Sequence, residues 1–305
     1  MTVSLSPDSR PPAFVFGIIS FMWARPFTRE YYDSLTRASE LGFEAFELVM
    51  PEPGNVDFAE LGDLCSRHGL RSALTARVGA ETDPCHPRAE VRKRAGEYLR
   101  ECIDAAATMG AEVVGGPLLG SPLVFAGQRP RLVSDAERRR RFDLCVRHLA
   151  EAASYAAERG VRLALEPVNR FETDVVNLVE QALELLSEVD GGDTVGILVD
   201  TFHANIEERS VPAAIRMAGE NLLHLHANEN HRGMPGTGHL PWPEILAALH
   251  ETGFRGQVIL EPFRRNDNSF GVPLASWRPP DLPTEEAMLE DALRYLRDLA
   301  ETPAP

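Results

Sequence analysis

Positive charge is scarce in this chain of 305 residues: 31 lysines and arginines stand against 46 acids, a formal net charge of −15 at pH 7. A surface of that sign repels a polyanionic backbone, so nucleic acid is excluded as a first partner. Cysteine is equally sparse. Cys65, Cys85, Cys102 and Cys145 show no CxxC spacing, which argues against a disulfide framework or a zinc ribbon and for core or helix-surface thiols in a reducing compartment. No apolar run approaches the ~18 residues of a membrane span, and the opening MTVSLSPDSRPPAFVFGIISF has no basic segment ahead of its apolar run. The expectation is a cytoplasmic protein without membrane contact, in which residues 1–12 form a flexible leader and the closing TPAP a frayed tail.

What is present is a repeating pattern. Apolar residues make up 44% of the chain, enough for a sizeable core. Short runs with β-branched or aromatic residues fall at 14–21, 45–50, 71–78, 112–118, 161–168, 195–200, 222–228 and 257–263. Amphipathic stretches lie between them at about 28–41, 57–68, 88–109, 135–159, 177–189, 210–219 and 243–252, with a last one at about 285–300. Gly42, Gly69, Gly110, Gly160 and Gly253 follow helical stretches at the position where a left-handed C-cap is favoured. Eight strand–helix units without a composition break predict a single-domain (β/α)₈ TIM barrel over residues 13–305, because parallel strands with helical crossovers bury both faces of their sheet. The runner-up, a doubly wound open sheet, commonly carries GxGxxG after its first strand, and that motif is missing here. The long segments 119–134 and 264–284 belong, in a barrel, to the loops that shape the catalytic face.

The last four strand candidates end in metal-binding side chains: Glu166 in ALEPV, Asp200 in GILVD, His226 in HLHAN and Glu261 in ILEPF. They are 34, 26 and 35 residues apart, each about one strand–helix unit. Strand ends converge at one barrel face, so four adjacent strands can surround one ion. Three carboxylates and one imidazole favour Mn²⁺, with Co²⁺ or Mg²⁺ as alternatives, over zinc. Taken singly, a strand-end Glu is an ion-pair or loop anchor and the His of HLH a hydrogen-bonded core residue. Four in register argue for a site, since burying an acid without a partner is costly.

The motifs ALEPVNRFET, VDTFHANIEE, HLHANENHRGMPGTGHLPW and ILEPF, followed by the SxWR of ASWRP, closely resemble the D-tagatose/D-allulose 3-epimerase family among the xylose-isomerase-like barrels. A thinner echo runs through the first half in ISFMW, FELVM and a Gly-rich fourth strand end. The resemblance implies that Glu166, Asp200, His226 and Glu261 bind the metal, that Glu166 and Glu261 also act as the acid/base pair, and that Glu172, His203 and Arg232 bind substrate. Trp23, Glu47 and the loop 119–127 fall near the places where family members contact the far end of the sugar. It further implies a dimer or tetramer. Each substrate residue keeps another reading: Glu172 as a surface charge, His203 as a helix cap, Arg232 as an ion-pair partner of Glu229. His231 and His239 read as loop residues, and the arginines at 138–141 as the solvated face of an outer helix.

The expected function is metal-dependent 3-epimerisation of a free ketose through an enediolate. The alternative keeps the proton transfer and changes the carbonyl substrate, to a cyclitol ketone, an aldose–ketose pair or a keto-glycoside undergoing elimination. An apurinic-site endonuclease of the same superfamily uses several metals and a basic cleft, which the charge opposes. A barrel that only binds sugar would lack one of the four ligands, and none is missing.

Overall fold

The computed structural model describes residues 14–120, 123–124, 127–129, 132–263 and 284–301. The expected leader, the tail and the SxWR motif lie outside the described residues, as does most of the 264–284 loop. Eight strands, β1 (Val15–Ile19), β2 (Ala45–Val49), β3 (Arg71–Thr75), β4 (Val113–Gly116), β5 (Arg162–Leu165), β6 (Val195–Asp200), β7 (Leu222–Ala227) and β8 (Gln257–Leu260), pair in chain order. All pairings are parallel, and β8 returns to β1 to close the barrel.

The strands stop earlier than the apolar runs do, and proline is one reason. Pro117, Pro167 and Pro262 follow β4, β5 and β8, and without an N–H they cannot continue a ladder. The residue before each proline still bonds: Glu166 N–H donates to Gly116 O at 3.0 Å and Glu261 N–H to Ala227 O at 3.3 Å. Both acids are therefore held at the rim by a last rung.

Helices α1 (Asp33–Glu40), α2 (Phe58–Arg67), α3 (Ala89–Met109), α4 (Asp135–Ala157), α5 (Val179–Ser187), α6 (Thr201–Glu207), α7 (Val211–Ala218), α8 (Trp242–Glu251) and α9 (Glu285–Glu301) complete the described chain. On α3 the buried residues Val91, Ala95, Leu99, Cys102 and Ala106 recur at helical spacing. The five C-cap glycines all have positive φ. All four cysteines are free and buried. Of the four consecutive arginines 138–141 on α4, Arg138 and Arg139 face solvent, while Arg141 turns inward to grip both oxygens of Asp174 at 2.7 and 2.9 Å.

Small side chains leave room inside the barrel. Ala73, Val113, Ala164 and Leu198 form a closed cluster, and a Cβ on Gly115 would come within 2.8 Å of Leu198 Cδ1. The sequence pattern contains no helix directly after β6, yet α6 begins there. Asp200 starts it: its Oδ1 accepts from the N–H groups of Phe202 at 2.7 Å and His203 at 2.9 Å.

Candidate active site

The four strand-end residues meet. Glu166, Asp200 and His226 each offer one ligand atom within 4.8 Å of the others, and His226 Nδ1 lies 3.4 Å from Glu261 Oε2. Register makes Asp200 and His226 direct neighbours across β6 and β7. All four are buried. His226 Nδ1 has no hydrogen-bond partner although it faces Glu261 and, at 3.9 Å, Asp200 Oδ2. A buried imidazole nitrogen aimed unbonded at carboxylates fits the donor set of a divalent cation.

Electrostatics sets the two outer carboxylates apart. Burial, reinforced by Asp200 and Glu261, pushes Glu166 well above the usual carboxylate range. Burial also pushes Asp200 up to about 7, against the pull of Arg232. Burial acts on Glu261 in the same direction, but the neighbouring His226 and Arg232 hold it well below that range. Asn228 steadies the cluster, its Nδ2 donating to Asp200 Oδ2 at 2.7 Å and to Glu261 Oε2 at 3.3 Å.

Glu47, expected against the substrate, lies elsewhere. It has no exposed surface and accepts from or shares protons with His226 Nε2 at 3.1 Å and His224 Nε2 at 2.9 Å, and Thr75 Oγ1 also donates to it. A carboxylate sealed beneath the cluster is out of a ligand's reach. Trp23 is half-buried and stacks on Phe46 with centroids 6.3 Å apart; it is absent from the described cavity lining.

Above the cluster opens a cavity of about 220 Å³, lined by Glu166, Glu172, His203, Arg232 and Glu261, with Phe21 and Phe263 packed edge to face at 5.2 Å on one side. Arg232 Nη2 donates to Glu261 Oε2 at 3.0 Å and its guanidinium covers the Phe263 ring at 4.0 Å. The ion pair with Glu229 does not form. Glu229 instead accepts from Trp242 Nε1 at 2.7 Å and from the N–H groups of Gly236 and Leu240 at 2.9 and 3.2 Å, which ties down the loop carrying Arg232. Arg232 itself sits at φ 59°, a left-handed conformation.

His203 belongs to the first turn of α6 rather than capping it. Burial, with Arg232 adding to it, holds its imidazole well below its ordinary pKa, so the ring is neutral. Its Nδ1 faces two donors, the Asn169 N–H at 3.1 Å and Asn169 Nδ2 at 2.8 Å. Asn169 Oδ1 is taken by the Phe171 N–H at 3.0 Å, which fixes the amide. His203 Nε2 lies 2.8 Å from Arg232 Nη1 and 3.7 Å from Glu166 Oε1. The His203 and Arg232 side chains both line the cavity. Glu172 is tethered, not loose on the surface: its Oε2 accepts from Arg77 Nη2 at 3.0 Å. The loop 119–127 approaches through the Leu123 and Val124 N–H groups, which donate to the carbonyls of Glu172 and Phe171 at 3.1 and 2.9 Å. Asn169 and Asn228 were missed as site residues although they stand inside the NRFE and HLHAN motifs.

Residues 35–299 match the model of the xylose isomerase-like TIM barrels. D-psicose 3-epimerase of Enterocloster bolteae is 32% identical over 287 residues, covering 91% of this chain and 92% of that protein. The chain belongs to the ketose 3-epimerase family of xylose isomerase-like TIM barrels. L-ribulose 3-epimerase of Mesorhizobium japonicum is 31% identical over 265 residues, 86% of either chain. A solved L-ribulose 3-epimerase superposes with a TM-score of 0.85 at 28% identity, covering 94% of this chain and 95% of that one. Membership in this ketose 3-epimerase family sets the enzyme class, an epimerase acting on carbohydrates.

Proposed function

We propose that this chain is a divalent-metal-dependent ketose 3-epimerase in which Glu261 and Glu166 exchange the C3 proton on opposite faces of the sugar. The observation that carries the reading is the meeting of Glu166, Asp200, His226 and Glu261 at one barrel mouth, with two carboxyl groups, Glu166 and Glu261, on its outer positions. Epimerisation needs that pairing, a base to take a proton and an acid to return one. The two acids follow β8 and β5, so β6 and β7 separate them around the rim and a substrate can lie between.

The chemistry a divalent ion supplies when held by Glu166, Asp200, His226 and Glu261 is polarisation of the carbonyl and its neighbouring hydroxyl, and the donor set suits Mn²⁺ first. Glu261 abstracts the C3 proton. Negative charge then develops on the substrate oxygen, where the Arg232 guanidinium and the His203 imidazole of the cavity wall stabilise it. Glu166 then delivers a proton from the other face, and the two acids trade roles in the reverse direction. Glu172 orients a hydroxyl. Lys93, the chain's only lysine, is exposed on α3 and paired with Glu97, so no amine is at hand for a Schiff base and proton transfer rests on the carboxylates.

The test is deuterium wash-in at C3 of a panel of ketoses, followed by NMR on the Mn²⁺-loaded protein. Glu261→Gln is expected to retain bound metal while exchange falls by ~10²-fold or more. Near-normal exchange in that variant would sink the two-base assignment.

A further inference from the structure

Cys85 and Cys145 are 60 positions apart in the chain, yet the fold brings their sulfurs to 2.9 Å from each other, buried and unbridged. Cys85 lies on the loop between β3 and α3, and Cys145 in the middle of α4. The loop is docked on that helix at the same place: the Cys85 thiol donates to Arg141 O at 3.8 Å, and Arg140 Nη2 donates to Cys85 O at 3.5 Å. Both cysteines stand behind the wall of the active-site cavity, and neither is among its described lining residues. The loop opens with Arg77, whose Nη2 donates to Glu172 Oε2 at 3.0 Å. One turn before Cys145, on the same side of α4, Arg141 grips Asp174, two positions after Glu172. The segment carrying Glu172 is thus held by the loop on one side and by α4 on the other, and the two thiols join those holders. Contact with Cys85, and then burial, holds the Cys145 thiol well above its ordinary range, so it keeps its proton. Cys85 instead sits on a loop whose Glu81 and Pro87 are exposed. Local opening of such a loop presents its thiol to solvent while the helix stays formed.

We propose that Cys85 and Cys145 form a redox modification site, a dithiol that a small-molecule disulfide such as oxidised glutathione closes into a cross-link stapling the β3–α3 loop to α4. It is independent of the reaction assigned to the cavity. The Cys85 sulfur displaces one glutathione thiol and forms a mixed disulfide; the Cys145 sulfur then displaces the other. Two protein S–H bonds and the S–S bond of oxidised glutathione break, one protein S–S bond and two glutathione S–H bonds form, and two electrons pass from the protein to glutathione. The second displacement is intramolecular between sulfurs already in contact. A bridge between residues this distant in the chain removes freedom from the unfolded state and so stabilises the fold. In a reducing compartment the pair stays open.

Mass and heat stability test it together. The full-length, Mn²⁺-loaded protein is equilibrated in glutathione buffers of rising oxidised fraction, at temperatures up to just below its thermal midpoint so that the loop opens, then alkylated and mapped by mass spectrometry. Two of the four thiols are expected to become unavailable together, in a peptide pair joining Cys85 to Cys145, and the thermal midpoint to rise by ~5 °C over the reduced protein. Cys85→Ser is expected to abolish both the cross-link and the rise. Cys145→Ala, which keeps the loop thiol, is expected to stop at a glutathione adduct on Cys85. Cys65→Ser, on α2, is expected to retain cross-link and rise alike. Four alkylated thiols at every buffer ratio overturn the proposal. So does a lasting glutathione adduct on Cys85 in the parent protein, because Cys145 would then be unable to displace it. An equal thermal rise in Cys85→Ser overturns it as well, since the stabilisation would then arise elsewhere.

Discussion

Glu47 does not touch the cavity, yet the orientation of His226 depends on it. A carboxylate on Nε2 fixes the ring proton there and turns the Nδ1 lone pair toward Asp200 and Glu261. Its own position is fixed by Thr75 and His224. Glu47→Gln is expected to weaken Mn²⁺ binding by ~10–100-fold with activity recovering at saturating metal; unchanged affinity by calorimetry would refute the orienting role. The sequence alone could not supply this assignment. FELVM reads as a strand end near a substrate loop, and the partners that reveal its role, His224 and His226, are 177 and 179 residues away. By contrast, the meeting of Glu166, Asp200, His226 and Glu261 was legible, because each stands at or beside a strand end and the strand ends are equivalent by the symmetry of the barrel.

Among the secondary-structure elements, the strand ends do two jobs. Asp200 terminates β6 and caps α6 with one oxygen while its other oxygen faces Asn228 and the cluster. This helix was invisible in the apolar pattern because it is seven residues long and begins on a functional residue. At the end of β4 the chain turns through Gly116 at φ 118°, where a Cβ would stand 2.2 Å from Ala76 O. Only glycine fits that turn. Gly116→Ala is expected to lower unfolding free energy by ~1–3 kcal/mol or more in urea titrations. Gly96→Ala is the internal control, since it lies inside α3 with nothing within 4 Å of the added carbon, and it is expected to raise stability by ~0.5–1 kcal/mol. Equal effects from the two would show that helix and turn backbone play no part.

The whole molecule carries a pH dependence unrelated to catalysis. His148 is buried on α4 with no hydrogen bond to its Nε2, and burial lowers its pKa from 6.5 to about 4. Between those values the unfolded chain takes up a proton that the folded chain refuses. Stability is therefore lost as pH falls from about 6.5 and levels off below about 4, by about 3 kcal/mol in total from this group. In His148→Leu this component is expected to vanish, so that the urea midpoint of the variant falls less between pH 6.5 and 4.5 than that of the parent. Identical slopes for both would exclude His148 as the titrating group.

Periodicity and strand-end chemistry by themselves determined the eight-unit barrel, its closing order and the four residues that meet at its mouth, because these depend on local alternation and on a repeat length that the fold translates directly into position. The glycine caps were equally local. Tertiary structure alone decided that Glu47 supports His226 from below, that Arg232 pairs with Glu261 while Glu229 braces its loop, and that Arg25 and Arg77 share the cavity wall. Each of those contacts joins segments of the chain whose neighbours and protonation are set by burial and by charges brought in from other strands, which no window of sequence contains.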